Sequence, residues 1–371
     1  MFIRAVAFYY SHIVRNLYED VEESFRSRER GRERESGISK RREKVFHFSG
    51  PSNDIWNRFY QHESYDTFVN TSRTVTENNK VFVDYVLFKD FGPNDVIRIT
   101  NPTSETKVLV STSSFFNCYS TKDGGSIYLA TGESNAGEGS CVQYKVCSYE
   151  SKIPNLLTGD DGSHSLIRVT NDDNHKNFVI ESSFTQNSGN NAVLYHSHGS
   201  IQFSSINISD SKLNYNAAYF IYEPFSLSTT NFSNFDNISS VNQGCFYHGS
   251  NNHYFYFCNV IDNNVLMIDD GNGIFCLAYS VTLSVNNCFF KGNKATKLFY
   301  IDSGSAPTVR ECYFESDNKF QNIEKNQNSK SMTKLILSNL YSLYLCKLPK
   351  RSEKILHTKI FRAIHRLNRR R

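Results

Sequence analysis

Between about Val81 and Asn318 a short apolar run, a polar turn and a second apolar run return every 22 to 35 residues. Residues 182–187 read Ser-Ser-Phe-Thr-Gln-Asn and residues 288–293 read Cys-Phe-Phe-Lys-Gly-Asn, so a Phe-x-x-Asn ending recurs. Strand-sized pieces repeated at this period cannot each bury an apolar face alone, and stacking one copy on the next does so. The repeat therefore points to a solenoid.

On one register the anchors are Phe88, Phe116, Tyr149, Phe184, Ile206, Phe232, Val260, Phe290 and Phe314, with intervals of 28, 33, 35, 22, 26, 28, 30 and 24. Two further runs follow most anchors. The second includes 95–100, 125–129, 165–169, 192–195, 217–222, 245–248, 274–279 and 297–301. The third includes 107–110, 177–180, 200–203, 253–257, 281–285 and 308–310. Runs of four to six residues rich in Val, Ile, Phe and Tyr, bounded by Gly, Asn, Asp and Ser, are strands rather than helices. Three strands per turn predict an all-β, right-handed parallel β-helix of about nine turns. Its anchors form an inward ladder, and Asn187, Asn263 and Asn293 fall in one column. Asn at such a bend accepts left-handed backbone, and its amide reaches the neighbouring turn.

A continuous core is within reach of a chain that is 39% hydrophobic and 14% aromatic. The net charge of +4 hides a division: 22–44 carry nine Lys/Arg against six Asp/Glu, 347–371 carry ten against one, and 45–346 carry 20 against 28. The expected organisation is a helical cap and charged linker over 1–44, the β-helix over 45–330, and a short apolar segment with a basic tail over 331–371. Ile3, Val6, Tyr10, Ile13, Leu17 and Val21 lie at helical spacing, which suits a helix covering the open end of a solenoid. Arg4, Ser11, His12 and Arg15 interrupt that stretch, unlike a secretory signal. The mixed charges of Arg26 to Lys44 read as a solvated linker, and no nucleic-acid partner is expected. Leu335 to Cys346 is too short to span a bilayer, for which about 20 apolar residues are needed. Leu356, Ile360, Ile364 and Leu367 share a helical face flanked by Lys354, Lys359, Arg362 and Arg366. That tail is either a peripheral contact with an anionic membrane or a soluble C-terminal cap.

The nine cysteines form no CxxC pair and no zinc-type cluster, and Cys258, Cys288 and Cys312 share one register position. Sequons at Asn70, Asn207, Asn231 and Asn237 permit glycosylation if the chain enters a secretory route, whereas Pro102 blocks Asn101.

Gly124-Gly125-Ser126-Ile127 after Phe116, with Phe184-x-x-Asn187 and Phe290-x-x-Asn293, resembles the GGAI-like and FxxN motifs of polymorphic outer-membrane proteins. It also resembles those of related β-helix surface proteins of parasitic protists and, more broadly, the right-handed β-helix, pectin-lyase-like superfamily. The resemblance covers roughly residues 81–318. It implies a surface-associated, adhesin-like protein whose partner is a carbohydrate or a host or cell-surface protein, at a cell-surface or membrane-associated location. Fold alone implies no reaction.

Pectin lyases and polygalacturonase-like hydrolases share that superfamily, so catalysis enters as an alternative. Glycan hydrolysis needs two carboxylates at a set separation. Asp269-Asp270 is the nearest match, but His198-Gly199 precedes it and no Arg-x-Lys follows. A lyase needs acids that hold calcium and a base. Asp160, Asp161, Asp172 and Asp173, near His164 and His175, are expected first as the turn formers of long loops, and they are also the candidate Ca²⁺ ligands. His196 and His198 flank Ser197 and are expected to share a strand face. Tyr128, Tyr195, Tyr222 and Tyr247 in the second runs form an external stripe for sugars or pack beneath loops. With no coherent catalytic set, a non-enzymatic binding or structural protein is expected, without cofactor. A polysaccharide-active enzyme using 159–175, and a diverged or truncated copy without activity, are the alternatives.

Overall fold

The computed structural model describes residues 53–315 apart from 62, 132–137, 155–161, 267–271 and 303. The chain divides into two compact units, Met1–Pro51 and Ser52–Arg371, and the described residues lie in the second. The helix expected from Ile3 to Val21 and the basic tail lie outside them. The second unit is a parallel β-solenoid of about eight turns. Nine anchors delimit eight intervals, which accounts for the difference from nine.

Every strand pair in its four sheets is parallel. Sheet A has ten strands, from Thr67–Val69 to Ala306–Arg310, sheet B eight, from Ile97–Ile99 to Lys297–Ile301, and sheet C nine, from Leu87–Lys89 to Tyr313–Phe314. The chain runs A, C, B and back to A. Four two-residue strands between C and B, Ser188–Gly189, Lys212–Leu213, Ser239–Ser240 and Asn264–Val265, make sheet D. The repeat period follows from this path, because each strand bonds to its counterpart one turn away.

The inward column of sheet C is Phe88, Phe115, Ser148, Phe184, Ile208, Phe235, Val260, Phe290 and Phe314. It corrects the anchor register at four places. Phe116 and Tyr149 sit one residue further on, where alternation turns them outward, and their rings stack at 5.1 Å. Ile206 and Phe232 lie in the corner between sheets A and C. Ser148 leaves a gap in the ladder, which the His164 ring fills, 5.2 Å from Phe115 and 4.9 Å from Phe184.

Each A–C corner spans two residues. The first is left-handed: Tyr85, Thr112, Lys145, Glu181, Ser205, Phe232, Phe257, Asn287 and Glu311 all have φ of 46–55°. The second is buried and often small and polar. Ser113, Ser182 and Ser233 hydroxyls donate to the carbonyl two residues back, and accept the N–H of Val86, Val146 and Ile206 one turn earlier at 3.0–3.2 Å. Cys258, Cys288 and Cys312 take the same place, with Cys258 N–H to Cys288 Sγ at 3.5 Å and Cys288 N–H to Cys312 Sγ at 3.4 Å. A corner breaks the strand ladder, and these side chains satisfy the amides it orphans.

The following corner repeats the device with amides. Asn187 Oδ1 accepts the N–H of Ser151 at 2.9 Å, Asn263 Oδ1 that of Ile238 at 3.0 Å, and Asn293 Oδ1 that of Asn263 at 3.1 Å. The left-handed residue stands one place earlier, at Gln186, Asp262 and Gly292. The three asparagines therefore serve as buried bond makers rather than as the left-handed bends.

Helix α1, Asn53–Phe59, was not anticipated. It lays Trp56 and Phe59 on the outer face of sheet A, where Phe82, Leu109 and Val142 are apolar and buried. Trp56 Nε1 donates to Glu63 O at 2.8 Å, and Tyr60 OH to Val108 O at 3.1 Å. At Gly125, φ is 54° and an added Cβ would meet Ser163 O at 1.9 Å. Only glycine fits there.

Candidate functional site

The histidines divide between the interior and the surface. His196 points into the core, because its register neighbours are Ile167 and Ile221. His198 is a left-handed corner residue with φ of 64°, so the two share no face. His164 also lies inside, away from the acidic loop. Within the core His164 Nε2 donates to Gln143 Oε1 at 3.0 Å, Gln143 Nε2 donates to Ser165 Oγ at 3.2 Å, and Ser165 Oγ lies 2.9 Å from His196 Nε2. This polar layer lies between the two main apolar clusters of the core. Further along, Tyr219 OH lies 3.2 Å from His248 Nε2, and His253 is held by Ser228 and, at 2.7 Å, by Ser250 O. Burial pushes His164 and His196 down to about 3, His253 to about 4 and His248 well below its ordinary value. All four are neutral near pH 7.

Two imidazole–carboxylate pairs stand at the corner between sheets B and A. His175 Nδ1 lies 2.6 Å from Asp172 Oδ1, which also accepts the N–H groups of Asn174 and His175. Partial burial would raise the Asp172 carboxyl, but the imidazole and the two N–H groups outweigh it and lower it. On the next turn His198 Nε2 lies 3.1 Å from Glu223 Oε2. Glu223 is 25 residues from His198, one period away, which is the signal that would have found it. Asp173 is exposed; Asp160, Asp161, Asp269 and Asp270 lie outside the described residues. Among the described residues no three His, Cys, Asp or Glu side chains converge as metal ligands.

The tyrosines of sheet B form one outward file with Phe220. Tyr195 stacks on Phe220 at 4.3 Å and Phe220 on Tyr247 at 4.1 Å, while Arg98 lies over Tyr128. Tyr128 and Tyr195 are buried, Tyr247 is half-buried, and Tyr222 turns to His198 and Tyr279. The sequons also differ. Asn207 and Asn231 are buried, their amides bonded to Ser183 and Tyr256 at 3.1 and 2.9 Å, whereas Asn70 and Asn237 are exposed. Burial pushes the Cys118 thiol to about 11 and those of Cys141 and Cys276 to about 12, which makes them unreactive.

A concavity lies at the A–C corner of the last rungs. Tyr256, Phe257, Asn286, Asn287, Arg310 and Glu311 line a groove of about 630 Å³. Phe232 continues it, with its ring parallel to Phe257 at 5.3 Å. No alternation rule finds this groove, since its aromatic residues occupy corners rather than strands. No family model, curated protein or solved structure matches the chain. Its class is thus defined by geometry, as a parallel β-solenoid. Among the described residues no helix is long and apolar enough to cross a membrane.

Proposed function

We propose that the chain is a non-enzymatic binding or structural protein of the right-handed, pectin-lyase-like β-helix type, displayed at a surface like the β-helix proteins it resembles. The observation that carries this reading is where its reactive side chains sit. His164, His196, His248 and His253 are core residues bonded to Gln143, Ser165, Tyr219 and Ser228, while the A–C corner presents a regular outer file of aromatic, amide and charged groups. Neutral imidazoles inside a packed core meet no substrate, and a regular file suits recognition. Localisation of an internally tagged full chain tests the display. Surface staining with a deglycosylation shift traced to Asn70 or Asn237 supports it, and cytosolic staining without a shift overturns it.

The second reading, a polysaccharide-active enzyme, draws on the Asp172–His175 and Glu223–His198 pairs on adjacent turns. Asp160 and Asp161 would join Asp172 and Asp173 in holding Ca²⁺ there. Turnover of polygalacturonate, with or without Ca²⁺, that disappears in Asp172→Ala would replace the binding reading with this one.

A further inference from the structure

Asn231, Tyr256, Asn286 and Arg310 occupy one register position on the last four rungs of sheet A. The next residues, Phe232, Phe257, Asn287 and Glu311, are all left-handed, with φ of 48°, 53°, 53° and 51°. The corner thus carries two parallel files. Aromatic side chains dominate the earlier rungs, and amides and opposite charges the later ones.

The fold asks for none of these side chains. Earlier copies of the same corner carry Thr112, Lys145, Glu181 and Ser205, and the left-handed region disfavours bulky residues. Phe232 and Phe257 are nonetheless there, 41% and 36% exposed, with rings parallel within 2°. Tyr256 stands edge-on to Phe257 at 5.7 Å. Beside them Asn286 Oδ1 is buried without a hydrogen-bond partner. Arg310 is exposed and makes no ion pair among the described residues.

We infer that this groove binds a neutral oligosaccharide, with a sugar against the face of Phe257 that Phe232 leaves uncovered and hydroxyls on Asn286, Asn287, Arg310 and Glu311. Aromatic faces accept the C–H side of a pyranose, while amides, a guanidinium and a carboxylate together supply donors and acceptors for vicinal hydroxyls. One cation and one anion leave the lining without net charge. A polyuronate would set its carboxylates against Glu311. Rungs repeat at about 4.8 Å, so a short oligosaccharide spans the rungs from Phe257 to Glu311.

The inference rests on the binding-protein reading and supplies its ligand class. The test is calorimetric titration of the full chain with cellohexaose, xylohexaose, maltohexaose and chitohexaose, with hexagalacturonate as the acidic comparison. At least one neutral hexamer should bind, and Phe257→Asn, which keeps a residue tolerant of left-handed backbone, should weaken it by roughly tenfold or more. Arg310→Gln, at an exposed site, should weaken it less and covers the case in which Phe257→Asn fails to fold. The proposal is overturned if no neutral hexamer binds, if both variants bind like the parent, or if hexagalacturonate binds more tightly. Shortening of the bound hexamer, with affinity still dependent on Phe257, supports the site and overturns only the non-enzymatic reading.

Discussion

Val81 and Val108, Val83 and Val110, Ile97 and Ile127, and Ile99 and Leu129 fill the interior of the first turns. At the same register positions farther along stand Ser228 and His253, Thr230, Tyr219, and His248. One backbone rung thus houses an aliphatic core at one end and an aromatic core threaded with imidazoles at the other. The pairing register assigns each residue a place and a direction; its chemistry is free wherever a neighbour satisfies it. Ser165 and Gln143 do this for the Nε2 atoms of His196 and His164, while both Nδ1 atoms stay buried without a partner. Polar groups with partners are tolerated in a core that would reject them singly.

Acid should separate the two regions most strongly. The four buried histidines have folded values below 6.5, so the unfolded chain takes up their protons first as pH falls. Their contribution is complete above 6.5 and is lost as pH drops toward the folded values, about 3 for His164 and His196 and about 4 for His253, with His248 also well below its ordinary value. Each group adds about 1.4 kcal/mol per pH unit to the slope, and four add about 5 kcal/mol per pH unit around pH 5. In the first turns Asp84 and Asp95 have the opposite sign. Burial raises both to about 6, against Ser111 at Asp84 and Arg98 at Asp95, so the folded state holds protons that the unfolded state has released. Stability there rises as pH falls through 6. Amide exchange at about pH 5 and about pH 7.5 should show Ala192–Ser197, Phe246–Gly249 and Asn252–Tyr256 losing protection in acid while Lys80–Asp84 keeps it. His196→Leu should lower the overall slope by about a quarter. Equal loss of protection in both regions would remove the contrast.

Truncation should separate them next. Phe246 has Phe235, Phe275, Tyr219 and Phe255 rings 4.7–5.4 Å away, so Phe246→Ala is expected to cost about 3–5 kcal/mol in urea melts. Ile127→Val, in the aliphatic turns, should cost about 0.5–1.5 kcal/mol. A Phe246→Ala cost as small as that of Ile127→Val would mean that the aromatic region is loosely packed.

The solenoid and its three-strand turn are legible in the sequence because period and strand composition are properties of side-chain type. Exact register is less so. In Phe115-Phe116 both residues are apolar, and only the pairing of Phe115 with Phe88 decides which faces inward. At Leu227–Asn231 the rung is written Leu-Ser-Thr-Thr-Asn, and inward Ser228 and Thr230 conceal a strand that pairing with Ser200–Ser204 and Asn252–Tyr256 defines. The groove was less legible still. A left-handed corner points its side chain outward whatever that residue is, so Phe232 reads as a core anchor until the backbone is known.

The asparagine column tests whether corners matter as much as cores. Asn263 Oδ1 accepts the N–H of Ile238, and Nδ2 donates to Phe235 O and Asn293 Oδ1 at 3.1 Å. Asn263→Ala should cost about 1–3 kcal/mol, the penalty of leaving buried partners unpaired. A neutral outcome would mean that water replaces the amide.

The smallest expected effect concerns the corner where serine serves the earlier turns and cysteine the last. Ser182 accepts the Val146 N–H at 3.0 Å and donates to Ile180 O at 2.9 Å, so Ser182→Ala should cost about 1 kcal/mol through the orphaned amide. Cys288 makes the same two contacts, accepting the Cys258 N–H at 3.5 Å and donating to Asn286 O at 3.2 Å. Sulfur is the weaker acceptor, and what Cys288 chiefly supplies is volume in an apolar neighbourhood. Cys288→Ser should therefore strengthen the bond yet add a hydroxyl and remove bulk, leaving a net loss of less than about 1 kcal/mol. A Cys288→Ser variant more stable than its parent would show that the corner amide, rather than packing, limits the last turns, and the two regions would then differ in filling but share one limiting contact.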